Sequence, residues 1–543
     1  MLASAVRQQS PTLPVLRSSA MSDLPSRRHV LIGGVAAGAA IVTATGAARS
    51  AAVRSGEART AGGRGEPLLA LVGVTVIDAT RAQPLINSTV LIRGDRIVRV
   101  GRRGQVPVPP GATVVDLTGK YLIPGLWEMH AHSIGTEHIS PPLYLANGVT
   151  SVREMAGSAV VAGWREAIEQ GRIRGPRWTI ASTIVDGSPS LLADPEDPSG
   201  AILVATPAQA RRAVRQAKAE GADFVKVYSR VPREAYAAIA DEARRQHIPF
   251  AGHCPDTVPI VQASDAGQRS IEHIHTLWCA TSSRHRQVQR ALASITIEPG
   301  GYAGWFRQFH KAEWLAAENY SPKRAAAVFT RLVRNRTWVT PTLAMHQIVD
   351  RPEALFLADD RLKYIPAEDQ QWWRWAVDNI YKPGRNPQEV AQQHALFDRR
   401  LRFVAAMREA GVSLLAGSES GFIYAYPGFS LHDELALLVR SGLTPREALG
   451  AATLQAATFM GAQHSLGTIH PGKLADLVVL DADPLADITH TTKIHAVLAA
   501  GHLITSAERR RMLTSVEQAA KEKPSRHLPS ATIGCGCHTP RKS

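Results

Sequence analysis

Cysteine is nearly absent. Four thiols, Cys254, Cys279, Cys535 and Cys537, are spread over 543 residues, too few for a disulfide scaffold. Aromatic residues are sparse at 6%, and the apolar stretch nearest the N-terminus lacks the Leu/Ile/Phe richness of a membrane-spanning helix. Acidic charge is also in deficit, with 47 Asp and Glu against 62 Lys and Arg, a formal net charge of +15. The surplus is not evenly placed. Residues 1–62 carry seven Arg against Asp23 and Glu57, and residues 506–543 carry eight Lys and Arg against Glu508, Glu517 and Glu522, so each end contributes +5 and the body only +5. No interleaved aromatic and basic groove motif accompanies the charge, which argues against nucleic acid as a partner. What remains is an ordinary soluble composition, 45% hydrophobic and 20% charged, long enough for an α/β barrel of about 250 residues plus additions.

Near the start, Arg27 and Arg28 stand directly before an uncharged stretch, Val30 to Ala48, of which 7 residues are Ala and 4 Gly. That pairing resembles a bacterial twin-arginine signal, implying export to the periplasm through the twin-arginine machinery. Small residues from Ala47 to Ala52 offer cleavage points, and Met1 to Ala20 reads as an extension upstream of the start. Residues 1–64 are therefore set apart from the fold.

From Leu68 the pattern is short alternating strands and turns, and a similar stretch follows residue 464. Two strand-rich ends enclosing an α/β middle predict a small β-sandwich built from residues 65–123 and 464–505 around a barrel of residues 124–463. Within the barrel, strands are expected at 126–132, 148–155, 178–185, 223–229, 248–254, 270–275, 337–343 and 412–418, which is the number of a (β/α)8 TIM barrel. TPAQARRAVRQAKAEG, PREAYAAIADEARRQ and LHDELALLVRSG carry apolar residues at helical spacing between them. The basic tail, 506–543, is expected to begin as a helix and then loosen, and its GCGCH holds too few ligands to close a metal site alone.

The chemistry concentrates at strand ends. In WEMHAHS, His130 and His132 are two apart and so share a strand face. Lys226 in FVKVYS, His253 in FAGHC, His273 in SIEHIH and Glu419 in LLAGSES fall at the ends of strands four, five, six and eight. Singly, each has a structural reading: a buried His satisfied by hydrogen bonds, or a Lys reaching an ion pair. Together, imidazoles and a carboxylate converging at the C-terminal ends of barrel strands suit Zn²⁺ or a related divalent ion.

At these residues the chain resembles the amidohydrolase superfamily, in its imidazolonepropionase-like and prolidase-like branch of metal-dependent hydrolases. The resemblance runs from Leu68 to Thr505 and is densest in LIPGLWEMHAHS, GADFVKVYS, AGHC, SIEH and LGTIHPGKLADLVVLDADPL. It implies two divalent ions, zinc foremost, one held by His130, His132, Lys226 and Glu419 and the other by Lys226, His253 and His273, with Lys226 carbamylated as the bridge. The implied reaction is hydrolysis of amide or peptide C–N bonds by a metal-bridging hydroxide, with Glu419 as proton shuttle. Two positions depart from the family. Gly417-Ser418-Glu419 stands where Gly-Thr-Asp is usual, and Glu128 replaces an Asp before the His pair.

By the same resemblance Tyr228, which shares the face of Lys226, would steady the substrate. His432 and Arg153 are candidates for contact with a substrate carboxylate, each with a competing structural reading. The excursions 276–336 and 345–410 hold Trp305, Trp314, Trp372, Trp373 and Trp375, and could form an apolar wall favouring a hydrophobic or aromatic acyl group. The substrate class is a small amide or dipeptide, prolidase-like or N-acyl amino acid. The alternatives are a mononuclear deaminase or cyclic-amide hydrolase of the same superfamily, or a catalytically impaired metal-binding protein on this scaffold. A homo-oligomer is compatible with the chain.

Overall fold

Alternation of valine and leucine with small residues makes Leu68–Val76 (β1) a strand whose centre is wholly buried, as expected for β-branched and apolar residues on a covered sheet. It opens a sheet to which both ends of the chain contribute. The computed structural model describes residues 67–80, 83–192, 200–297, 301–354 and 359–522; the paired arginines and the Cys535–Cys537 stretch lie outside them. β1 pairs antiparallel with β2 (Leu85–Arg93), which pairs with β3 (Arg96–Arg102), and β1 is flanked in parallel by β4 (Thr113–Asp116) and β5 (Tyr121–Pro124). The seam between the two ends is antiparallel, with Tyr121 to Pro124 opposite Leu480 to Leu477 of β15 (Leu477–Leu480). Two further strands, β16 (Ile494–Ala499) and β17 (His502–Ile504), complete eight. Leu71, Val74, Val90, Leu122, Leu477 and Leu498 form its apolar core.

The middle of the chain alternates parallel strands with helices. β6 (Leu126–Ala131), β7 (Val149–Glu154) and β8 (Arg177–Ile180) form one parallel sheet. A second contains β9 (Val185–Asp186), β10 (Ile202–Leu203), β11 (Val225–Val227), β12 (Phe250–Gly252), β13 (Ser270–Glu272) and β14 (Trp338–Thr340). Every residue of β6 and β7 is buried, the mark of strands covered on both faces. Parallel bridges link Ala181 to Phe224, Val339 to Leu414 and Ala131 to Ser420. The helices follow local signals. Pro207–Ala219 begins with a capping box between Thr206 and Gln209 and buries Ala210, Ala213, Val214 and Ala217, one stripe at helical spacing. Arg233–Gln246 and Phe429–Arg440 likewise occupy segments read as helical.

Two strand expectations need correcting. The run 178–185 splits into β8 and β9. The run 412–418 is no regular strand, although Leu415 N–H donates to Val339 and Met129 N–H to Ala416. The cause lies in how closely this segment approaches its neighbours: a Cβ on Gly417 would sit 2.6 Å from Thr340 Cγ2 and 2.8 Å from the His130 nitrogen. Two residues later Glu419 takes φ 63°, left-handed backbone that no strand sustains. After β17 the chain forms the helix Ser506–Lys521, whose Val516 and Ala520 pack on Ile139 and Leu143. Among the described residues no helix is long and apolar enough to cross a membrane.

Candidate metal centre and pocket

The six strand-end residues singled out above are all buried, and the fold brings them to one place. His130 and His132, at the end of β6, face Glu419: His130 Nε2 lies 2.8 Å from Glu419 Oε2, and His132 Nε2 3.3 Å from Oε1. One donor atom from each of these three residues falls within 4.8 Å of the others. His273 Nε2 stands 3.6 Å from the same carboxylate and 3.1 Å from His253 Nε2. Lys226, in β11, is fully buried beside them. A Cβ on Gly252 would come within 3.0 Å of Lys226 Cδ, so the glycine makes room for the lysine stem.

Outer groups orient these rings. His130 Nδ1 meets Glu272 Oε2 at 2.9 Å, His253 Nδ1 meets Ser229 Oγ at 2.8 Å, and His273 Nδ1 meets Thr342 Oγ1 at 2.7 Å. Each Nδ1 is thereby engaged and each Nε2 is turned to the common centre, the arrangement by which proteins fix a ligating imidazole. His130 Nε2 and Glu419 Oε2 are both buried and, despite their proximity, make no regular hydrogen bond. Buried nitrogen and carboxylate oxygen donors crowded together in this way fit a divalent cation. His273 and Glu419 hold their places with φ of 66° and 63°, strain of the kind that collects at functional sites.

Electrostatics agree with convergence. Burial would raise the Glu419 pKa, but His130, His273 and His132 hold it well below the usual carboxylate range. Burial and then its neighbours His273 and Lys226 keep His253 neutral. His132 is pushed down to about 4, chiefly by burial. Burial and Lys226 oppose protonation at all four histidines, but at His130 the carboxylates of Glu419 and Glu272 outweigh them and its pKa is raised.

Glu128, the second departure from the family pattern, lies beneath the group. Its Oε1 accepts from His130 N–H at 3.0 Å and Ser418 N–H at 2.9 Å, and its Oε2 accepts from Ser418 Oγ at 2.6 Å. A single carboxylate therefore ties β6 to the irregular segment carrying Glu419, and burial raises its pKa to about 7.

Above the histidines opens a pocket whose empty space, counted out into open solvent, is about 550 Å³. Tyr228 lines it, its ring 4.1 Å from that of His253. One wall comes from the helix Tyr302–Glu318, which presents Trp305, Phe306 and Phe309; the helix Leu343–Asp350 adds Met345, His346 and Val349. Of the five tryptophans considered in the sequence, only Trp305 reaches this lining.

Two candidates for substrate contact are placed elsewhere. Arg153 donates to Met129 O at 2.7 Å and to Glu272 Oε1 at 2.7 Å, with its guanidinium over the Phe459 ring; it braces the carboxylate that orients His130. His432 meets Thr491 Oγ1 at 2.9 Å and Asn147 O at 3.0 Å, joining three elements of the interior. Both side chains are satisfied where they stand and neither lines the pocket. Glu272, His275, Glu313, His346 and Arg400 escaped the sequence reading. The first two flank His273 within SIEHIH, a spacing that could have exposed them.

An α/β fold with a buried His, His and Glu group at strand ends, opening on an apolar pocket, defines a class of enzymes built around a divalent-metal centre. Comparison finds similar proteins of this class. The Amidohydrolase family matches residues 390–504. Imidazolonepropionase of Pseudomonas paraeruginosa is 24% identical over 427 residues, 75% of this chain and 90% of that protein. Among solved structures, a bottromycin amidohydrolase superposes with TM-score 0.63 at 23% identity, covering 84% of this chain and 92% of its own. A Xaa-Pro dipeptidase does so with TM-score 0.58 at 19% identity, covering 81% and 100%. Residues 390–504 thus carry the Amidohydrolase family match, and over three quarters of its length the chain is similar to an enzyme of that kind.

Proposed function

We propose that the protein hydrolyses amide or peptide C–N bonds, as a prolidase-like or N-acyl amino acid hydrolase, in a centre of two divalent ions. The observation that carries this is the convergence of His130, His132, His253 and His273 around Glu419 and Lys226 beneath an apolar pocket. His130, His132, Lys226 and Glu419 would hold one ion and Lys226, His253 and His273 the other, zinc being the ion best suited to this donor set. Addition of CO2 to the neutral Lys226 amine, with loss of a proton, would remove the cost of a buried ammonium and would supply anionic oxygens as ligands. Bound metal would supply Lewis acidity and lower the pKa of water. Glu419, kept ionised by its histidine neighbours, accepts the proton released on attack and returns it to the leaving amine. Tyr228, in the pocket lining beside His253, would donate to the carbonyl oxygen as charge develops there. The aromatic wall favours a hydrophobic or aromatic acyl group or side chain.

Support for a (β/α)8 barrel comes from the three parallel bridges, which join the two parallel sheets and segment 412–418 in sequence from β6 round to Ser420. In this reading residues 124–463 are the barrel, 65–123 with 464–505 a composite β-sandwich domain, 1–64 a twin-arginine signal directing periplasmic export, and 506–543 a basic tail. One observation favours a second reading, a mononuclear deaminase or cyclic-amide hydrolase: His130, His132 and Glu419 alone form a compact triad.

Zinc-loaded protein screened against Xaa-Pro dipeptides and N-acyl amino acids is expected to release free amine and carboxylate, with activity abolished by chelation and restored by metal. Activity confined to amino-heterocycle deamination or ring opening would overturn the acyclic amide assignment.

A further inference from the structure

Arg400 is among the largest fully buried side chains, 1% exposed, yet it lines the pocket together with Glu313. Its Nε donates to Asp350 Oδ2 at 2.7 Å, Nη1 to Glu313 Oε1 at 2.5 Å, and Nη2 to Glu313 Oε2 at 2.8 Å and Asp350 Oδ1 at 3.4 Å. A guanidinium has five N–H groups. Among the described residues four are used, leaving one on Nη1. The carboxylate of Glu313 also retains acceptor capacity, so a donor and an acceptor stand side by side in an otherwise aromatic wall.

That wall is fixed in place. Trp305 Nε1 donates to Asp256 Oδ2 at 2.8 Å, and Arg230 Nη1 holds the same oxygen at 3.1 Å. Trp305 and Phe309 pack at 4.8 Å between ring centres, and both line the pocket.

Charge narrows the guest further. Arg400 already faces two carboxylates, so the trio offers no uncompensated positive charge to an anionic group. A cationic group would enter a pocket that ends on a divalent-metal centre. Burial raises the pKa of both Glu313 and Asp350, against the lowering effect of Arg400.

We propose that this part of the pocket is a subsite for an aromatic side chain bearing a neutral hydrogen-bonding group, a phenolic hydroxyl in the simplest case. The hydroxyl accepts from Arg400 and donates to Glu313 while the ring lies against Trp305 and Phe309. The subsite deepens the hydrolase reading by naming the substrate class, and rests on it for the reaction but not for binding.

Calorimetry on the full-length, metal-loaded protein separates the two. Para-hydroxyphenylacetamide is expected to bind about tenfold more tightly than phenylacetamide, the worth of one net hydrogen bond. Glu313→Gln should bring the two within about threefold while leaving metal content unchanged. Equal affinities in the wild-type protein, tighter binding of para-(aminomethyl)phenylacetamide, or no binding by any of the three would overturn the subsite, and these arms need no variant to fold. Hydrolysis of N-acetyl-tyrosine and N-acetyl-phenylalanine is measured alongside. A phenol preference in binding without hydrolysis of either would leave the subsite standing and count against the hydrolase reading.

Discussion

The two halves of the pocket are built differently. At the metal end, the histidines and Lys226 come from strands or the residue after them, and Glu419 from an irregular segment bridged to β6 at Ser420. At the aromatic end they come from three helices, Tyr302–Glu318, Leu343–Asp350 and Pro387–Glu409, and the Arg400, Glu313 and Asp350 trio spans 87 residues of chain between its outermost members. Strand ends give fixed geometry, as chemistry requires. Helical excursions allow the wall to change without disturbing the centre, which is where barrel-type enzymes vary what they accept.

If the halves are separable, substitutions at the metal end should change metal content and turnover, and those at the wall only substrate binding. The largest effect is expected for Lys226→Ala, which should abolish activity and metal binding together, with partial rescue by short carboxylic acids. Metal content unchanged by elemental analysis would contradict a bridging role. Next is Glu419→Gln, which keeps a neutral oxygen while abolishing proton uptake. It should lower turnover by roughly 10²–10⁴-fold with metal retained, whereas an unaltered rate would exclude Glu419 as the shuttle. Glu419→Asp is expected to be active but slower, because Glu128 and Ser418 set this segment for the longer side chain.

Smaller effects test the supporting groups. Glu272→Gln weakens the hold on His130 and should reduce metal affinity by about 10–100-fold, read by competition with a chelator. On the other side of the comparison, Phe309→Leu should raise KM several-fold, roughly the worth of part of a ring contact at 0.5–1.5 kcal/mol, with kcat and metal content unchanged. A fall in metal content on that substitution would show that the halves are coupled.

The same contrast explains what could be read from the sequence. His130 and His132 declare themselves by a two-residue spacing, and Lys226 by its place in an apolar strand. The Arg400 trio gives no such signal, because its partners lie 50 and 87 positions away and only helix packing joins them. Arg153 and His432 were legible as buried polar residues near element ends, but spacing does not tell which way an isolated side chain turns. Arg153 turns toward Glu272 and Met129, and His432 toward Asn147 and Thr491. Segment 412–418 has a strand-like composition, yet Gly417 and Glu419 take it out of a regular ladder through a close approach that depends on His130 and Thr340.

The central claim, a two-ion centre assembled from strand ends, is tested most directly by counting metal in active, metal-replete protein. The account predicts two divalent ions per chain, falling toward one in His253→Asn with loss of activity. One ion per chain, with His253→Asn fully active, would contradict it.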